Sequence, residues 1–229
     1  VTIAEKISDL KQQLPAGVQL IAVSKTQPPA VIFEAYQAGQ MVFGENKVQE
    51  LSAKQATLPA DIQWHFIGHL QSNKVKKIAA FASLIHSVDS LKLLEEINRQ
   101  ALIQQRKIRV LLQFYIAEEE SKFGFSYDEA CRMLDSKEFS ILQNVQLAGV
   151  MGMASFTRDQ NRIRTEFKTL RKYFSQLKSV YFSSDDVFKE ISMGMSDDWH
   201  IAIEEGSTMI RLGTAIFGSR VYSQQIAGQ

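Results

Sequence analysis

Residues 20–25 read LIAVSK, a short apolar run of strand type that ends on a lysine. Runs of the same kind, rich in Val, Ile, Leu or Phe, recur at residues 41–44, 63–67, 84–88, 109–116, 146–151, 190–193 and 208–212. Stretches with helical spacing lie between them, among them residues 29–38, 91–105, 161–177 and 198–205. Ser90 precedes LKLLEEI where an N-cap is expected, and Gly39 and Gly206 stand at C-cap positions. Strand–helix alternation implies parallel strands joined by right-handed crossovers. About eight such units in one linkerless chain predict an α/β fold, a single (β/α)8 TIM barrel, with residues 1–229 as one domain. An open doubly wound sheet is the other architecture this alternation admits. Residues 179–189 fit a strand, a loop or a helix start equally well.

Composition narrows the function classes. The 229 residues are 45% hydrophobic and 22% charged, ordinary values for a soluble globular protein. Lys and Arg total 26 against 25 Asp and Glu, which gives no support for nucleic acid as a partner. The basic run of Lys74, Lys76 and Lys77 reads as a solvated helix face. The single cysteine, Cys131, rules out an intramolecular disulfide and fits a reducing compartment; its helical surroundings read as a small buried hydrophobe. No apolar run approaches the roughly 20 residues that span a bilayer, and the first residues carry no signal-peptide pattern. The expectation is a cytoplasmic protein with no membrane contact.

In a (β/α)8 barrel the working site lies at the C-terminal ends of the strands. Those ends carry Lys25, then Glu45 and Asn46, Gly68 and His69, Ser87, Ser155, the SMGMSDD segment at 192–198, and Arg211 with Gly213 and Thr214. A lysine just past a strand is usually a solvated terminus, but partial burial lowers its pKa and suits it to imine formation. The last two strand ends say more. SMGMS offers two hydroxyls and a glycine, and RLGTAIFG places Gly213 and Thr214 before a short helix, the ingredients of an anion site. Two glycine turns chosen for backbone geometry are the plainer explanation. Arg211, within TMIRL, alternates toward the barrel interior and needs an acceptor there, a carboxylate or a cofactor ring nitrogen. His65 and His69 are four apart but straddle a strand and its turn without a third ligand, so no metal is expected. His86 and His200 have no evident partners, and no Ser-His-Asp motif or P-loop is present.

The blocks AVSKTQP, FGENKVQE, WHFIGHLQSNK, GVMGMA, SMGMSDD and STMIRLGTAIFG occur in this order. Together they resemble the YggS/PROSC family of pyridoxal phosphate homeostasis proteins, in register from Ile21 to Arg220. The resemblance implies a barrel like the N-terminal domain of alanine racemase and the fold-type III decarboxylases. It implies pyridoxal 5'-phosphate as cofactor, held as a Schiff base on Lys25. Ser196, Gly213 and Thr214 would hold the phosphate, with Ser192 a further contributor. Arg211 would face the pyridine nitrogen, and Asn46, Met151 and residues of HFIGHLQSNK would line the ring pocket.

Two departures stand beside this set: Lys47, where many relatives have an aromatic residue, and Trp199-His200, where an acidic or small pair is usual. They bear on pocket shape and partner surface. An arginine at the ring nitrogen disfavours its protonation and weakens the ring as an electron sink. In alanine racemase a second base, a tyrosine, comes from a C-terminal β domain. This chain closes at VYSQQIAGQ, so that domain is not expected, and Tyr222 is not assigned its role. The expected function is therefore carriage of the cofactor in vitamin B6 homeostasis rather than turnover, by a monomer that hands it to apo-enzymes. A small racemase or decarboxylase, and a non-covalent phosphate-binding scaffold, are the alternatives.

Overall fold

Strand and helix alternate because the apolar runs are buried on both faces while the intervening segments bury a single stripe. In chain order the elements are α1 (Ile3–Gln13), β1 (Gln19–Val23), α2 (Pro29–Gln37), β2 (Val42–Glu45), α3 (Val48–Gln55) and β3 (Gln63–Phe66). A 3-10 helix (Ser72–Lys77) then leads to β4 (Leu84–Val88), α4 (Leu91–Ile103), β5 (Ile108–Gln113), α5 (Tyr127–Leu134), α6 (Lys137–Ser140) and β6 (Val145–Met151). The chain continues through α7 (Gln160–Tyr181), β7 (Glu190–Ser192), α8 (Trp199–Glu204), β8 (Met209–Leu212) and α9 (Thr214–Phe217). This computed structural model describes residues 1–117 and 123–218. Tyr222 and Arg220 lie outside the described residues.

All eight strands are parallel and pair in sequence order, and β1 pairs with β8 to close the ring. In that last register Ile21 stands opposite Arg211 and Ala22 opposite Leu212. Closure removes the exposed strand edges an open sheet would leave, and it decides between the two architectures the sequence admits. Two apolar layers result. Ile21, Val42, Leu84, Leu111, Ala148, Met151 and Met209 fill the lumen. A larger layer, with Phe43, Phe66, Leu112, Phe167 and Ile191, lies between sheet and helices. Alternation along each strand assigns side chains to one layer or the other.

Local signals act where the sequence puts them. Ser90 accepts a hydrogen bond from the Leu93 amide at the start of α4. Gly39 (φ 81°) and Gly206 (φ 93°) end α2 and α8 in the left-handed region that a Cβ disfavours. In α1, which the sequence reading did not single out, Thr2 and Glu5 form a reciprocal capping box.

One strand is shorter than the sequence suggests, and one segment left open resolves mainly as a loop. Residues 109–116 are not one strand: β5 stops at Gln113, and Phe114 turns to bridge Phe125. Residues 179–189 complete α7 to Tyr181 and then turn toward β7. Aromatic stacking drives that turn, with Phe188 lying 4.1 Å from Phe182 and 5.3 Å from Phe174 between ring centroids.

Glu45 also changes place. Its neighbour Gly44 faces the lumen side with Val42, so Glu45 points outward toward α3. There its Oε1 accepts from Lys54 Nζ at 2.7 Å and from Ser24 Oγ at 2.6 Å. Lys54 also donates to the Ser24 carbonyl at 2.9 Å, so a buried ion pair braces β1 just before Lys25.

Candidate binding site at the barrel mouth

Lys25 lies two residues past β1, on the lumen-side alternation of Ile21 and Val23, and is half-buried. Thr26 follows at φ 67°, a costly conformation for a β-branched residue. Its amide donates to Glu50 Oε2 of α3 at 2.9 Å, which holds the strained turn. Burial alone would raise the Glu50 carboxyl, but the Thr26 amide and Lys54 outweigh it and hold it below the usual range.

On one side of β1, the end of β8 presents Gly213 and Thr214. A Cβ at Gly213 would lie 3.3 Å from the Val23 carbonyl, so this turn packs directly on β1. Thr214 donates to Ser196 Oγ at 2.9 Å, and both hydroxyls line a cavity of about 780 Å³ with Ser155, Arg158, Asp197 and Asp198. Ser155 is tied down from beneath, its amide and hydroxyl each donating to Glu166 of α7 at 2.7 Å.

On the other side, Asn46 follows β2 and lines a separate cavity of about 210 Å³ with Lys47, His69 and Lys74. Its Oδ1 is buried without a hydrogen-bond partner among the described residues, and so is Ser87 Oγ. Gly68 packs against the Asn46 backbone, where an added Cβ would lie 2.3 Å from the carbonyl oxygen. Gly68→Ala is therefore expected to lower stability by about 1–3 kcal/mol through overpacking. Urea unfolding of the two proteins measures this, and an unchanged midpoint would show that the contact yields.

Beneath the mouth, Arg211 is only 4% exposed. Its guanidinium donates to Ser192 Oγ at 2.5 Å and to the Gly152 carbonyl at 3.1 Å. Burial draws Arg211 down to about 10, against the opposing pull of Asp198, so it stays cationic at neutral pH. No carboxylate hydrogen-bonds it among the described residues. Met151 stands opposite Ser192 across the β6–β7 pairing and fills the lumen beside this group.

The eight candidate residues thus form two clusters of three, with Lys25 and Asn46 as single positions. Ser196, Gly213 and Thr214 gather at the ends of β7 and β8; Met151, Ser192 and Arg211 lie beneath them; Asn46 is set apart beyond Lys25. Ser192 sits lower than a mouth residue: fully buried, its hydroxyl is engaged by Arg211 and by His86 Nδ1 at 2.9 Å. His86, which has no evident partner in sequence, therefore has two, since its Nε2 lies 3.0 Å from His65 Nδ1. The available signal was alternation, which puts His65 and His86 on the lumen side of β3 and β4. His69 instead reaches outward to Asp89 at 3.3 Å, so the two histidines of WHFIGH do not converge. Among the described residues no group of three His, Cys, Asp or Glu is placed to hold a metal, and no helix is long and apolar enough to cross a membrane. Trp199 is buried in the outer core with His200 stacked on it, while Lys47 points outward, 72% exposed, near Glu50.

Comparison with known proteins gives this geometry a class. Residues 2–221 match the family model of the alanine racemase N-terminal domain, so the protein is a barrel of that class. Alanine racemase from E. faecalis shares the fold at a TM-score of 0.68, with 18% identity over 95% of this chain and 58% of that one. More specifically, the chain belongs to the pyridoxal phosphate homeostasis protein family. The Pasteurella multocida (strain Pm70) protein of that name is 38% identical over 98% of this chain and all of its own length. The Homo sapiens protein is 36% identical, over 97% of this chain and 84% of its own. PipY of Synechococcus elongatus PCC7942, solved with PLP bound, superposes at a TM-score of 0.84, with 41% identity over 95% of this chain and all of that one.

Proposed function

We propose that this protein binds pyridoxal 5'-phosphate at the barrel mouth and serves its intracellular homeostasis as a carrier rather than as a catalyst. The observation that carries the reading is Arg211, a buried guanidinium with no carboxylate hydrogen-bonded to it among the described residues, set below the Ser196–Thr214 hydroxyl pair and the end of β1. A phosphorylated pyridine aldehyde fits these groups in kind. Ser196, Gly213 and Thr214 would take the phosphate, Arg211 would face the ring nitrogen, and Met151 and Asn46 would flank the ring. Asn46 Oδ1, buried without a hydrogen-bond partner among the described residues, is an acceptor of the kind a polar ligand satisfies.

When bound, the cofactor supplies an electrophilic aldehyde carbon. Lys25 would hold it as a Schiff base, its amine displacing the aldehyde oxygen as water. Arg211 is a donor without an acceptor site and keeps a positive charge in the lumen, which opposes protonation of a ring nitrogen beside it. That favours storage over carbanion chemistry. An incoming amine would compete with Lys25 for the aldehyde carbon, and apo-enzymes that need the cofactor would be its recipients in the cytoplasm.

Loading purified protein with the cofactor, recording its visible spectrum, then reducing with borohydride and mapping peptides tests this. An imine band and an adduct on Lys25 are expected. A colourless protein with unmodified Lys25 overturns the binding reading. Sustained loss of α-deuterium from an amino acid, well above free cofactor, overturns carriage in favour of a racemase.

A further inference from the structure

We infer that His86, acting through Ser192, is a positioning residue for Arg211, within a hydrogen-bond chain of fixed direction that runs from the guanidinium down the lumen to His65. The direction follows from what each group can donate. A guanidinium only donates, so Ser192 Oγ must accept from Arg211 at 2.5 Å. Ser192 has one hydroxyl hydrogen, and the acceptor facing it is His86 Nδ1 at 2.9 Å. His86 therefore carries its hydrogen on Nε2 and donates it to His65 Nδ1 at 3.0 Å. The His65 hydrogen is in turn left on Nε2. His65 lines a cavity of about 330 Å³ at the opposite end of the barrel, with Gln19, Gln63, Ser83, Arg109 and Glu190.

A doubly protonated His86 does not fit this arrangement. It would aim a second donor at Ser192 and strand the serine hydrogen, and it would add a cation between Arg211 and Arg109. Burial already holds His65 down at about 3 and His86 well below its ordinary value, with both arginines adding to the effect on His86.

The chain holds Arg211 without neutralising it. Each donation makes the donating group a better acceptor, so the two imidazoles strengthen Ser192 as an anchor for the guanidinium. A carboxylate in the same place would cancel the charge. The functional part of this inference rests on the proposed placement of Arg211 against the ring nitrogen; the direction of the chain does not.

Two measurements test it. Long-range proton–nitrogen correlation spectra of histidine-labelled, cofactor-free protein should show His65 and His86 as Nε2–H tautomers that do not titrate between about pH 5 and 8. A His86 carrying its hydrogen on Nδ1, or titrating in that range, overturns the chain. In cofactor-loaded protein, His86→Leu should shift the visible band and weaken cofactor affinity about tenfold or more. Ser192→Ala, which keeps both imidazoles, should do the same, and His86→Gln, which can accept and donate, should recover most of the affinity. Unchanged spectrum and affinity in His86→Leu and Ser192→Ala overturn the positioning role. Should His86→Leu fail to fold, Ser192→Ala decides alone. A wild-type protein that forms no adduct defeats the cofactor reading, and with it the positioning role, while the tautomer result stands.

Discussion

Lys25→Ala should abolish the borohydride-trapped adduct and the imine absorbance completely, while retaining weak, non-covalent affinity for the phosphorylated cofactor. The reasoning is positional. Lys54, on α3, is committed to Glu45 and the Ser24 carbonyl, and only 7% of its side chain is exposed. Lys47 faces solvent at 72% exposure. Neither amine lies on the lumen-side alternation that carries Lys25 to the mouth. The Ser196–Thr214 pair belongs to different strand ends and is untouched by the exchange, so phosphate binding should persist. Loss of the covalent link is expected to weaken overall binding by at least about tenfold, measured by equilibrium dialysis. An adduct that reappears on another lysine, or a visible band that survives, would defeat the assignment of Lys25.

Acidification from neutral pH should cost this fold more than its surface ion pairs would suggest, because two imidazoles are locked inside it. Above pH 6.5, the ordinary imidazole value, neither native nor unfolded histidines carry the extra proton, and they contribute nothing. Below it, the unfolded chain binds protons that the native lumen refuses, so stability falls as pH falls. For His65 that fall continues to about pH 3, where the native ring at last protonates. The slope is about 1.4 kcal/mol per pH unit for His65, which costs about 2 kcal/mol by about pH 5, and His86 shifts stability in the same direction. Urea midpoints at both pH values, in the wild type and in a His65→Gln/His86→Gln variant, isolate the contribution. A variant as acid-sensitive as the wild type would refute it.

Much of this architecture is visible in the sequence because parallel strands sealed on both faces leave apolar runs. Each strand of the barrel overlaps such a run, from residues 20–24 to 208–212. Where reading fails, the missing information is across space. Glu45 and Asn46 are neighbours in sequence, yet one step along a strand separates the helix layer from the mouth. His86 finds Ser192 across 106 residues of sequence, a distance no local pattern spans. Residues 179–189 turn because three phenylalanines stack, and composition alone does not say which rings meet. The roles given to Lys25, Ser196, Gly213 and Thr214 come from family resemblance. What the fold adds is that β1, at the other end of the chain, lies beside β8 and so next to the β7 and β8 ends.

The pairing of β1 with β8 has a consequence for biogenesis. The seam joins the earliest strand to the latest, so an unfinished chain on the ribosome owns Lys25 but not the loops proposed to take the phosphate. On the proposed reading, cargo capture would become an audit of completion: only a chain that has zipped this last interface could be loaded. Ligand bound across the seam would also clasp it shut, resisting the unzipping by which such a ring first opens.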